Sequence, residues 1–405
     1  MGLTRKRNLR TGHAIWSAHR HPRIPATRLH RSVSADVVVV GAGISGAMIS
    51  QALTAAGMRP LILDRRRGAL RGSTAASTAL LQFELDTPLI HLTRKVGRRA
   101  AEQAWRCSHA AVNELRTRAT KLGIEAHLQS RPSLYLAGDI LDAAGLRREV
   151  RARQKLGLPS EMLEREALRH HFGIDRQAAI LSHANAEADP VALANGFLQR
   201  ALRDGARLHA PHEVADLHAT RRGITVFTKD GIEIQTRRVV LCTGYEMPKI
   251  VPTDRNRILS TWAMATSPQP EKVWPQRALI WEASEPYLYA RVAHDGRVIC
   301  GGEDEDFSED KRRDASIETK TARLEKKLGK LFPALDTRAE FAWTGCFGSS
   351  TTGMPTIGEI PGHRHCYAVL GYGGNGITFS MLAATLLTKA IRGKNDPDGK
   401  LFAFR

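Results

Sequence analysis

The feature that most constrains the fold is a glycine-rich turn that joins an apolar run to a helical stretch. Asp36–Val40 is a continuous β-branched segment, typical of a strand buried on both faces. Residues 41–46 read Gly-Ala-Gly-Ile-Ser-Gly, and the helical stretch 47–56 follows and ends at Gly57. A second apolar segment, Arg59–Leu63, ends at Asp64. The pattern predicts a strand–turn–helix–strand unit.

Each position in this turn has a physical task in binding a dinucleotide. Gly41 permits the tight turn, Gly43 lets the backbone approach a pyrophosphate, and Gly46 lets the helix pack closely on the strand. The helix that begins after them presents free N–H groups and a partial positive charge to phosphates. Asp64 is placed to bind the adenosine ribose hydroxyls and disfavours a 2′-phosphate, which argues against NADP. We therefore predict a dinucleotide site, with Arg65 beside it.

The rest of the chain alternates between helical and extended patterns. The predicted elements are a helix over 98–122, a helix that begins at Asp189-Pro190 and runs through Ala201, strands over 207–209, 213–217, 224–228, 233–235 and 239–242, a helix near 315–331, a strand over 367–370, and a helix over 377–391. The strand over 239–242 is closed by Thr243-Gly244, and the strand over 367–370 runs into a second glycine-rich turn, 371–376.

The composition is strongly basic, with 60 Lys and Arg against 41 Asp and Glu, a formal net charge of +19. Residues 1–34 form a basic arm without an acidic residue or a periodic pattern. Such a charge suits an anionic partner, although a generally basic proteome is the simpler interpretation. Five cysteines, without a Cys-x-x-Cys pair or a secretory h-region, favour a reducing, cytoplasmic location. No apolar run approaches the roughly 18 residues that span a bilayer.

Several segments resemble the D-amino-acid oxidase/glycine oxidase superfamily of FAD-dependent oxidoreductases and, more distantly, sarcosine and γ-glutamylputrescine oxidases. Besides the first glycine-rich turn, the resemblance is carried by Arg71–Ala79, Ala188-Asp189-Pro190, Val239–Gly244, Gly296–Gly302 and Gly358–Phe379. It covers residues 35 to about 395. It implies non-covalent binding of FAD and an α/β fold, with a Rossmann-like FAD-binding domain (GR-type) and a second, antiparallel-sheet substrate domain.

The resemblance also implies how the chain divides. The expected segments are a basic N-terminal arm over 1–34, the FAD-binding domain over 35–125 and 181–245, the substrate domain over 126–180 and 246–345, and a C-terminal return to the FAD-binding domain over 346–405. The residues expected at FAD are Gly41, Gly43, Ile44, Ser45, Gly46, Asp64, Arg65, Ser73, Thr74, Ser77, Val214, Thr243, Gly244, Gly374, Asn375, Gly376, Ile377 and Thr378. The N–H groups of Asn375 to Thr378 would face the flavin N1–C2=O edge, where negative charge develops on reduction.

One departure from the family affects the expected substrate. Amino-acid oxidases of the family bind the substrate carboxylate with an arginine in a Trp-x-Gly-x-Arg-Pro segment, and here Phe347 stands at that arginine's position. A strand period of two places Tyr287, Tyr289 and Arg291 on one face, which makes a pocket wall possible, with an exposed sheet surface as the alternative. Tyr289, Arg291 and Tyr372 are therefore the candidate substrate residues.

The sequence does not favour covalent flavin attachment or a metal site. Cys346 lies near the cysteine that holds the flavin covalently in sarcosine oxidases, but its register is off by about one residue. No metal site is expected, because His363 and His365 lack a partner pair and the acidic run Glu303–Asp306 reads as a solvated loop.

The sequence thus predicts an FAD-dependent oxidoreductase that oxidises a C–N bond of a small amine or amino-acid-like substrate by hydride transfer to flavin N5. Oxygen or a quinone would accept the electrons. The alternative is a tRNA-associated or membrane-surface flavoprotein dehydrogenase that uses the basic arm. No zinc finger, RRM or KH pattern supports nucleic-acid binding.

Overall fold

The computed structural model describes residues 3–4, 6–220 and 223–404. The strands in that part of the chain are β1 Arg10–Gly12, β2 Val33–Val40, β3 Leu61–Leu63, β4 Leu80–Leu81, β5 Gln129–Leu136, β6 Ser160–Glu164, β7 Ala178–Glu187, β8 Arg207–His209, β9 Val214–Thr220, β10 Gly223–Thr228, β11 Glu233–Leu241, β12 Asn256–Thr266, β13 Leu279–Glu282, β14 Leu288–Val292, β15 Val298–Glu305, β16 Ala339–Ser350, β17 Thr356–Ile360 and β18 His363–Leu370.

The helices join these strands and cover their faces. Those in the described residues are α1 Ile44–Ala55, α2 Leu89–Val96, α3 Arg98–Lys121, α4 Ala143–Lys155, α5 Arg165–Phe172, α6 Pro190–Arg203, α7 Asp310–Ala315, α8 Ile317–Leu331, α9 Gly376–Ile391 and α10 Gly399–Phe402, with a short 3₁₀ turn at Ser73–Ala76. No helix of the described chain combines the length and apolarity that crossing a bilayer requires.

Sheet A, with strand order β17-β18-β11-β2-β3-β8, is parallel from β18 to β8. The apolar run of β2 explains its central place, since Val37, Val38 and Val39 are fully buried between both faces. Helix α1 packs against α6 and α9, and α3 packs on α9. The α/β architecture predicted from the first glycine-rich turn is confirmed.

One strand of sheet A differs from the prediction. The two strands expected over 233–235 and 239–242 are a single strand, β11. Its first half pairs with β10 and its second half pairs with β18, while β2 lies along its other edge throughout. A change of partner along one continuous strand gives the sequence two different patterns, which is why it resembles two strands.

Sheet B, with strand order β1-β16-β12-β15-β14-β13-β5-β7-β4, forms the second layer, and α8 packs against β12, β15 and β16. The sheet is antiparallel as expected, except that β5 and β13 pair in parallel. These two strands are far apart in the chain and no hairpin fixes their direction. The predicted boundaries at 180/181 and 345/346 fall inside β7 and β16, and the domain division stays a prediction.

The basic arm is an integral part of sheet B. Residues Arg10–Gly12 form its edge strand β1, in register with Trp343–Gly345 of β16. Ile15 and Trp16 are buried, and the Trp16 indole N–H donates to the Ser77 carbonyl at 2.7 Å. Of the arm as predicted over 1–34, residues 1, 2 and 5 lie outside the described residues. Pairing with a strand more than 300 residues away leaves no local periodicity, so no sequence pattern marks this strand.

Candidate functional site

A deep pocket opens where the parallel strands of sheet A end and continues beneath sheet B. The carboxyl ends of β2, β3 and β11 reach it through Gly41, Asp64 and Thr243. Crevices at this edge of a doubly wound sheet are the usual place for a bound nucleotide. The fold therefore brings together turns that are far apart in the chain.

The first glycine-rich turn is confined by backbone on two sides. Gly41 has a φ of +108°, and a Cβ there would lie 2.3 Å from the Cys242 carbonyl oxygen. A Cβ on Gly46 would lie 1.9 Å from the Gly41 carbonyl oxygen. Gly43 lines the pocket, whereas Gly46 is behind the wall. Gly46 thus serves the close contact of helix and strand predicted for it and is not part of the pocket wall.

The start of helix α1 is held by the 3₁₀ turn that follows β3. The Ile44 N–H donates to the Thr74 hydroxyl at 3.0 Å, so that donor is already used. Ile44 and Ser45 line the pocket together with Ser73, Thr74 and Ser77. Residues 71–79 therefore lie along the helix N-terminus, where the resemblance places them.

Asp64 holds the turn as well as facing the pocket. Its carboxylate accepts the Ala42 N–H at 2.9 Å and the Arg66 N–H at 2.8 Å. Burial raises the pKa of Asp64, and these two hydrogen bonds partly oppose that rise. Each oxygen keeps a lone pair, so the carboxylate can also accept hydrogen bonds from ribose hydroxyls.

Arg65 lines the pocket in a cluster that the sequence did not indicate. Its guanidinium pairs with the buried carboxylate of Glu246, which also binds Arg66 at 3.0 Å and the backbone N–H of Arg7 at 3.0 Å. Glu246 follows β11 and has no motif around it. The cluster fixes two arginines at the rim of the pocket and neutralises part of their charge.

The remaining wall of the pocket near the first glycine-rich turn comes from sheet A and its hairpins. Val214 at the start of β9 and Thr243-Gly244 after β11 line the pocket, as expected. Gly244 has a φ of +58°, the left-handed conformation that closes the strand.

The second glycine-rich turn is tied to residues 82–86. The Asp86 carboxylate accepts the Gly374 N–H at 2.7 Å, and the Asn375 amide donates to the Glu84 carbonyl at 2.7 Å. Gly374, Asn375, Gly376 and Ile377 line the pocket. Gly373 has a φ of +58°, and a Cβ there would also meet the Asp86 carboxylate, so glycine is favoured at this position. Helix α9 begins at Gly376, one residue before the predicted start.

Thr378 does not reach the pocket. Its hydroxyl donates to the Gln82 carbonyl at 3.0 Å, and the side chain is fully buried. The side chain is therefore not part of the pocket wall, and the contact predicted for the Thr378 backbone N–H stays a prediction. Its place in the first turn of α9 directs the side chain at the neighbouring loop.

Tyr372 lies on the pocket wall, but its hydroxyl is engaged with helix α1. The Tyr372 hydroxyl and the Ser45 hydroxyl are 3.0 Å apart, and Ser45 is 2.7 Å from the Ser380 hydroxyl. Burial raises the pKa of Tyr372. We therefore assign this tyrosine to the joint between α1 and α9, and not to direct substrate binding.

The prediction for the face of β14 is right for Tyr289 and wrong for Arg291. Tyr289 lines the pocket, and its ring covers Gly301 of the next strand. Arg291 is 2% exposed and donates to the Thr78 carbonyl at 2.6 Å, the Ala188 carbonyl at 2.9 Å and Glu187 at 3.3 Å.

Arg291 misses the pocket because it lies two residues farther along β14 than Tyr289. Two residues advance the chain by about 6–7 Å, which carries Arg291 past the end of the pocket. There the ring of Trp16 covers its guanidinium, with 5.4 Å from the Cζ atom to the ring centroid. The burial of Arg291 could not be predicted, because no sequence pattern indicated that the arm packs on β14.

The far end of the pocket is lined by residues that were not among the predicted site residues, apart from Tyr289. We name as the acidic end the set formed by Glu84, Asp86, Thr261, Trp281, Tyr287 and Tyr289. Asp304 lies behind Thr261 and Tyr287. The acidic run Glu303–Asp306, expected as a solvated loop, is mostly strand β15, and Glu303 is buried against Lys320 and Lys327.

The comparisons with known proteins agree with this architecture. A family model described as FAD dependent oxidoreductase, the DAO family, matches residues 36–390. The chain belongs to this family. It is an FAD-dependent oxidoreductase, and its resemblance to amino-acid oxidases of the family is confirmed.

Relatives of this oxidoreductase include two bacterial proteins. It is 23% identical to the gamma-glutamylputrescine oxidoreductase of Escherichia coli (strain K12), over 94% of this chain and 89% of the relative. It is 26% identical to an opine oxidase component of Rhizobium meliloti, over 91% and 97%. The crystal structure of glycine oxidase from Geobacillus kaustophilus has the same fold, with a TM-score of 0.75, 19% identity and coverage of 92% and 99%.

The residues of the pocket fit FAD in this oxidoreductase. Ser73 Oγ and Gln82 Nε2 are buried in the wall without a hydrogen-bond partner among the described residues, as expected for groups that bind a cofactor. The backbone around Gly41 and Gly43 forms a cradle without side chains, next to the N-terminus of α1. Asp64 would hold the ribose, and the first turn of α9 would face the flavin.

Cys346 and Phe347 of the oxidoreductase both line the pocket. Burial raises the pKa of the Cys346 thiol to about 11, which keeps it protonated at neutral pH. Phe347 presents an apolar ring where the amino-acid oxidases of the family place an arginine. The arginines that line the pocket, among the described residues, are Arg65, Arg66 and Arg71, all beside the first glycine-rich turn.

A cluster of histidines joins the arm to helix α6, at a distance from the cofactor residues. His19 and His21 contact the same oxygen of Asp189, at 2.8 Å and 2.9 Å, while its other oxygen caps α6. Burial raises the pKa of Asp189, but the hydrogen bonds from His19, from the Ala192 N–H and from His21 outweigh it and bring the pKa to about 2. These three side chains could hold a metal ion, a grouping that the sequence did not indicate.

Proposed function

We propose that this oxidoreductase oxidises a carbon–nitrogen bond of a small amine or amino-acid-like substrate. The observation that carries the proposal is a single pocket that extends past the FAD-binding residues into an end lined by aromatic rings and hydroxyl groups. FAD, when bound, would supply the hydride acceptor at N5. The relatives named as amine, opine and amino-acid oxidoreductases support this class of substrate.

The chain's own groups suit this chemistry. Oxidation of an amine requires the nitrogen to be uncharged and the carbon to lie about 3–3.5 Å from the acceptor atom. Trp281, Tyr287 and Tyr289 form walls that would orient a small substrate and exclude water. The N-terminal turn of α9 offers N–H groups and a partial positive charge, which would stabilise the negative charge that reduction brings.

An anaerobic absorbance spectrum of the purified yellow protein tests the proposal. Amines, N-methyl amino acids and D-amino acids are added in turn, and one class should bleach the long-wavelength flavin band. If a fully loaded protein is bleached by none of them, C–N oxidation is wrong. Hydroxy acids then become the next class to examine.

The electron acceptor, oxygen or a quinone, can be assigned in the same preparation. The protein reduced by its substrate is mixed with oxygenated buffer or with a soluble quinone, and the return of the flavin band is timed. Rapid return with peroxide formation would identify an oxidase. Return with the quinone alone would identify a dehydrogenase.

The alternative, in which the basic arm serves tRNA or a membrane surface, has less support from the packing. Lys6 pairs with Glu213 at 2.9 Å, and Arg10–Gly12 belong to sheet B. An arm held in this way is not a free tether. Salt-sensitive binding to tRNA, or partition onto anionic vesicles, would restore the alternative.

A further inference from the structure

The acidic end of the pocket contains carboxylates whose negative charge is not fully balanced by cations of the described chain. Asp86 is exposed to the pocket, and one of its oxygens accepts only the Gly374 backbone N–H. Glu84 is 2% exposed, and its Oε2 has no hydrogen-bond partner among the described residues. Its Oε1 lies 3.9 Å from Arg153, but that arginine binds Glu149 at 2.8 Å, so one cation serves two carboxylates. An uncompensated carboxylate in such a place is costly unless a ligand supplies the missing charge.

A third carboxylate lies directly behind this wall. Asp304 faces the hydroxyls of Thr261 and Tyr287, yet neither of its oxygens makes a hydrogen bond of normal geometry within the described chain. Lys320, a cation whose charge acts on Asp304, is bound to Glu305 at 2.7 Å and to the Glu303 carbonyl at 3.0 Å. The negative charge of Asp304 is therefore directed toward the pocket through two hydroxyl groups.

The aromatic groups of this end favour the same kind of ligand. The rings of Tyr287 and Tyr289 lie 5.7 Å apart, and Trp281 stacks on Tyr135 at 3.8 Å. The faces of such rings attract cations, most strongly where water is excluded. Since Phe347 replaces the arginine of the amino-acid oxidases, this end also lacks the group that would bind a carboxylate.

We propose that the acidic end binds an ammonium group of the substrate against Asp86, with Glu84 and Asp304 adding negative charge behind it. This inference rests on the proposed function and specifies its substrate class. The substrate is a cationic amine with a second, non-reacting ammonium group and no carboxylate beside the oxidised carbon.

The ammonium group must be distinct from the nitrogen that reacts. A carboxylate next to the reacting nitrogen would hold it protonated, and a protonated amine cannot be oxidised. Carboxylates therefore suit a charged group at the other end of the substrate. A diamine satisfies both requirements, because one nitrogen can be neutral at the cofactor while the other stays charged.

Three probes of nearly equal length separate the charges. N-methylputrescine has a distal ammonium group, N-methylbutylamine has a distal methyl group, and γ-methylaminobutyrate has a distal carboxylate. We measure anaerobic flavin reduction with each at about pH 8. The diamine should have a kcat/KM about tenfold above the neutral amine, and the carboxylate should be the poorest, as expected for a charge-assisted contact.

Binding is measured independently of turnover. Putrescine, butylamine and butyrate are titrated into the oxidised protein, and the shift of the flavin absorbance band gives each Kd. Putrescine should bind most tightly and butyrate most weakly. This measurement decides the inference even if none of the three N-methyl probes is oxidised.

Matched variants assign the effect to the acidic end. Asp86→Asn can still accept the Gly374 N–H, and Asp304→Asn preserves the shape behind the wall. Each should reduce the preference for the diamine about fivefold or more, while Asp304→Glu should restore much of it. Asp175→Asn, which alters an exposed pair with Arg165, is the control and should change nothing. Flavin content confirms that each variant is folded.

The outcomes separate this inference from the proposed function. If butyrate binds as well as putrescine, or if Asp86→Asn and Asp304→Asn keep the full preference, the ammonium site is wrong. If N-methyl or D-amino acids bleach the flavin while the diamine neither binds nor reacts, C–N oxidation is supported and the proposed ammonium site is wrong. If putrescine binds selectively but no amine or amino acid bleaches the flavin, the proposed function fails and the site remains.

Discussion

The two ends of the pocket treat charge in opposite ways. At the cofactor end, Arg65 and Arg66 are paired with Glu246, and the Asp64 carboxylate receives two backbone N–H groups. At the acidic end, Asp86 has no ion pair among the described residues, and Glu84 shares Arg153 with Glu149. An end whose charges are satisfied within the protein is preorganised for a cofactor that stays bound. An end with unsatisfied charges is suited to a ligand that brings its own charge and then leaves.

The largest expected effect concerns the cofactor end. Gly46→Ala places a Cβ against the Gly41 carbonyl, which is backbone and cannot move away alone. We expect more than about a hundredfold weaker FAD binding, because the turn and helix α1 must separate. Flavin content after purification and FAD titration of the apoprotein measure it.

The matched control is Gly57→Ala at the other end of α1. Gly57 also has a positive φ, +84°, but a Cβ there meets nothing within 4 Å. It should cost only about 1 kcal/mol of stability through backbone strain and leave FAD binding intact. Normal flavin content in Gly46→Ala would show that the close contact is not needed.

The second prediction tests whether Arg291 is structural. Arg291→Gln leaves Glu187 with Arg131 as its remaining cation and removes donors from the Thr78 and Ala188 carbonyls, so we expect a loss of about 1–3 kcal/mol in the free energy of unfolding. Denaturant unfolding followed by fluorescence gives that value. Arg257→Gln, at an exposed pair with Asp306, should cost less than about 1 kcal/mol.

The KM of the folded Arg291→Gln protein tests separately whether Arg291 contacts the substrate. If Arg291 has no contact with substrate, the KM for the preferred amine should be unchanged in Arg291→Gln. A KM that rises selectively for carboxylate-bearing substrates would show that Arg291 binds the substrate and would contradict its structural assignment.

The third prediction concerns pH at the acidic end. Burial and, to a lesser degree, the charge of Asp86 raise the pKa of Asp304, while Thr261, Tyr287 and Lys320 oppose the rise, so that the pKa is about 6 instead of 3.8. The carboxylate is therefore charged above about pH 6 and neutral below it. Putrescine affinity should fall about tenfold from pH 7 to pH 5, as one ionisation with this pKa requires.

The control for this pH dependence is Asp304→Asn, in which the titrating group is absent. Putrescine binding to that variant should be weaker at neutral pH and should depend less on pH below 6. Because desolvation inside the pocket also raises the pKa of Asp86, although the side chain is open to the pocket, a residual slope from that carboxylate is expected. An unchanged profile in Asp304→Asn would show that another group governs binding.

The smallest effect is expected at the joint between α1 and α9. Tyr372→Phe removes one hydroxyl that contacts Ser45, so the free energy of unfolding should fall by about 1 kcal/mol. The rate of flavin reduction should change less than about threefold, since the hydroxyl is not directed at the substrate. Stopped-flow absorbance measures this rate. A loss of a hundredfold would show that Tyr372 acts in catalysis.

The cofactor end could be predicted because its residues follow one another in the chain. The strand, the turn around Gly41 and Gly43, and Asp64 lie within 30 residues and have a fixed order. The prediction did not extend to the hydrogen-bond partners of individual groups. Thr378 turns toward Gln82, and the Ile44 N–H is taken by Thr74, because local packing decides which donor remains free.

The acidic end could not be predicted in the same way. Asp86 follows β4, Tyr287 precedes β14, and Asp304 lies in β15, so no spacing links them. A run such as Glu303–Asp306 has the composition of a solvated loop. Only its pairing in sheet B, next to Lys320 of helix α8, reveals that two of its acids are inside the molecule.

The sequence by itself determined the turn that holds a dinucleotide, because hydrophobic periodicity and glycine spacing act over short stretches of chain. The family and FAD followed from the resemblance of several segments to a known family. The tertiary structure alone decided the path of the basic arm, the burial of Arg291 beneath Trp16, and the convergence of unpaired carboxylates at one end of the pocket. Those features depend on strands paired across hundreds of residues. Their energy comes from burial and charge, which arise only when the distant segments meet.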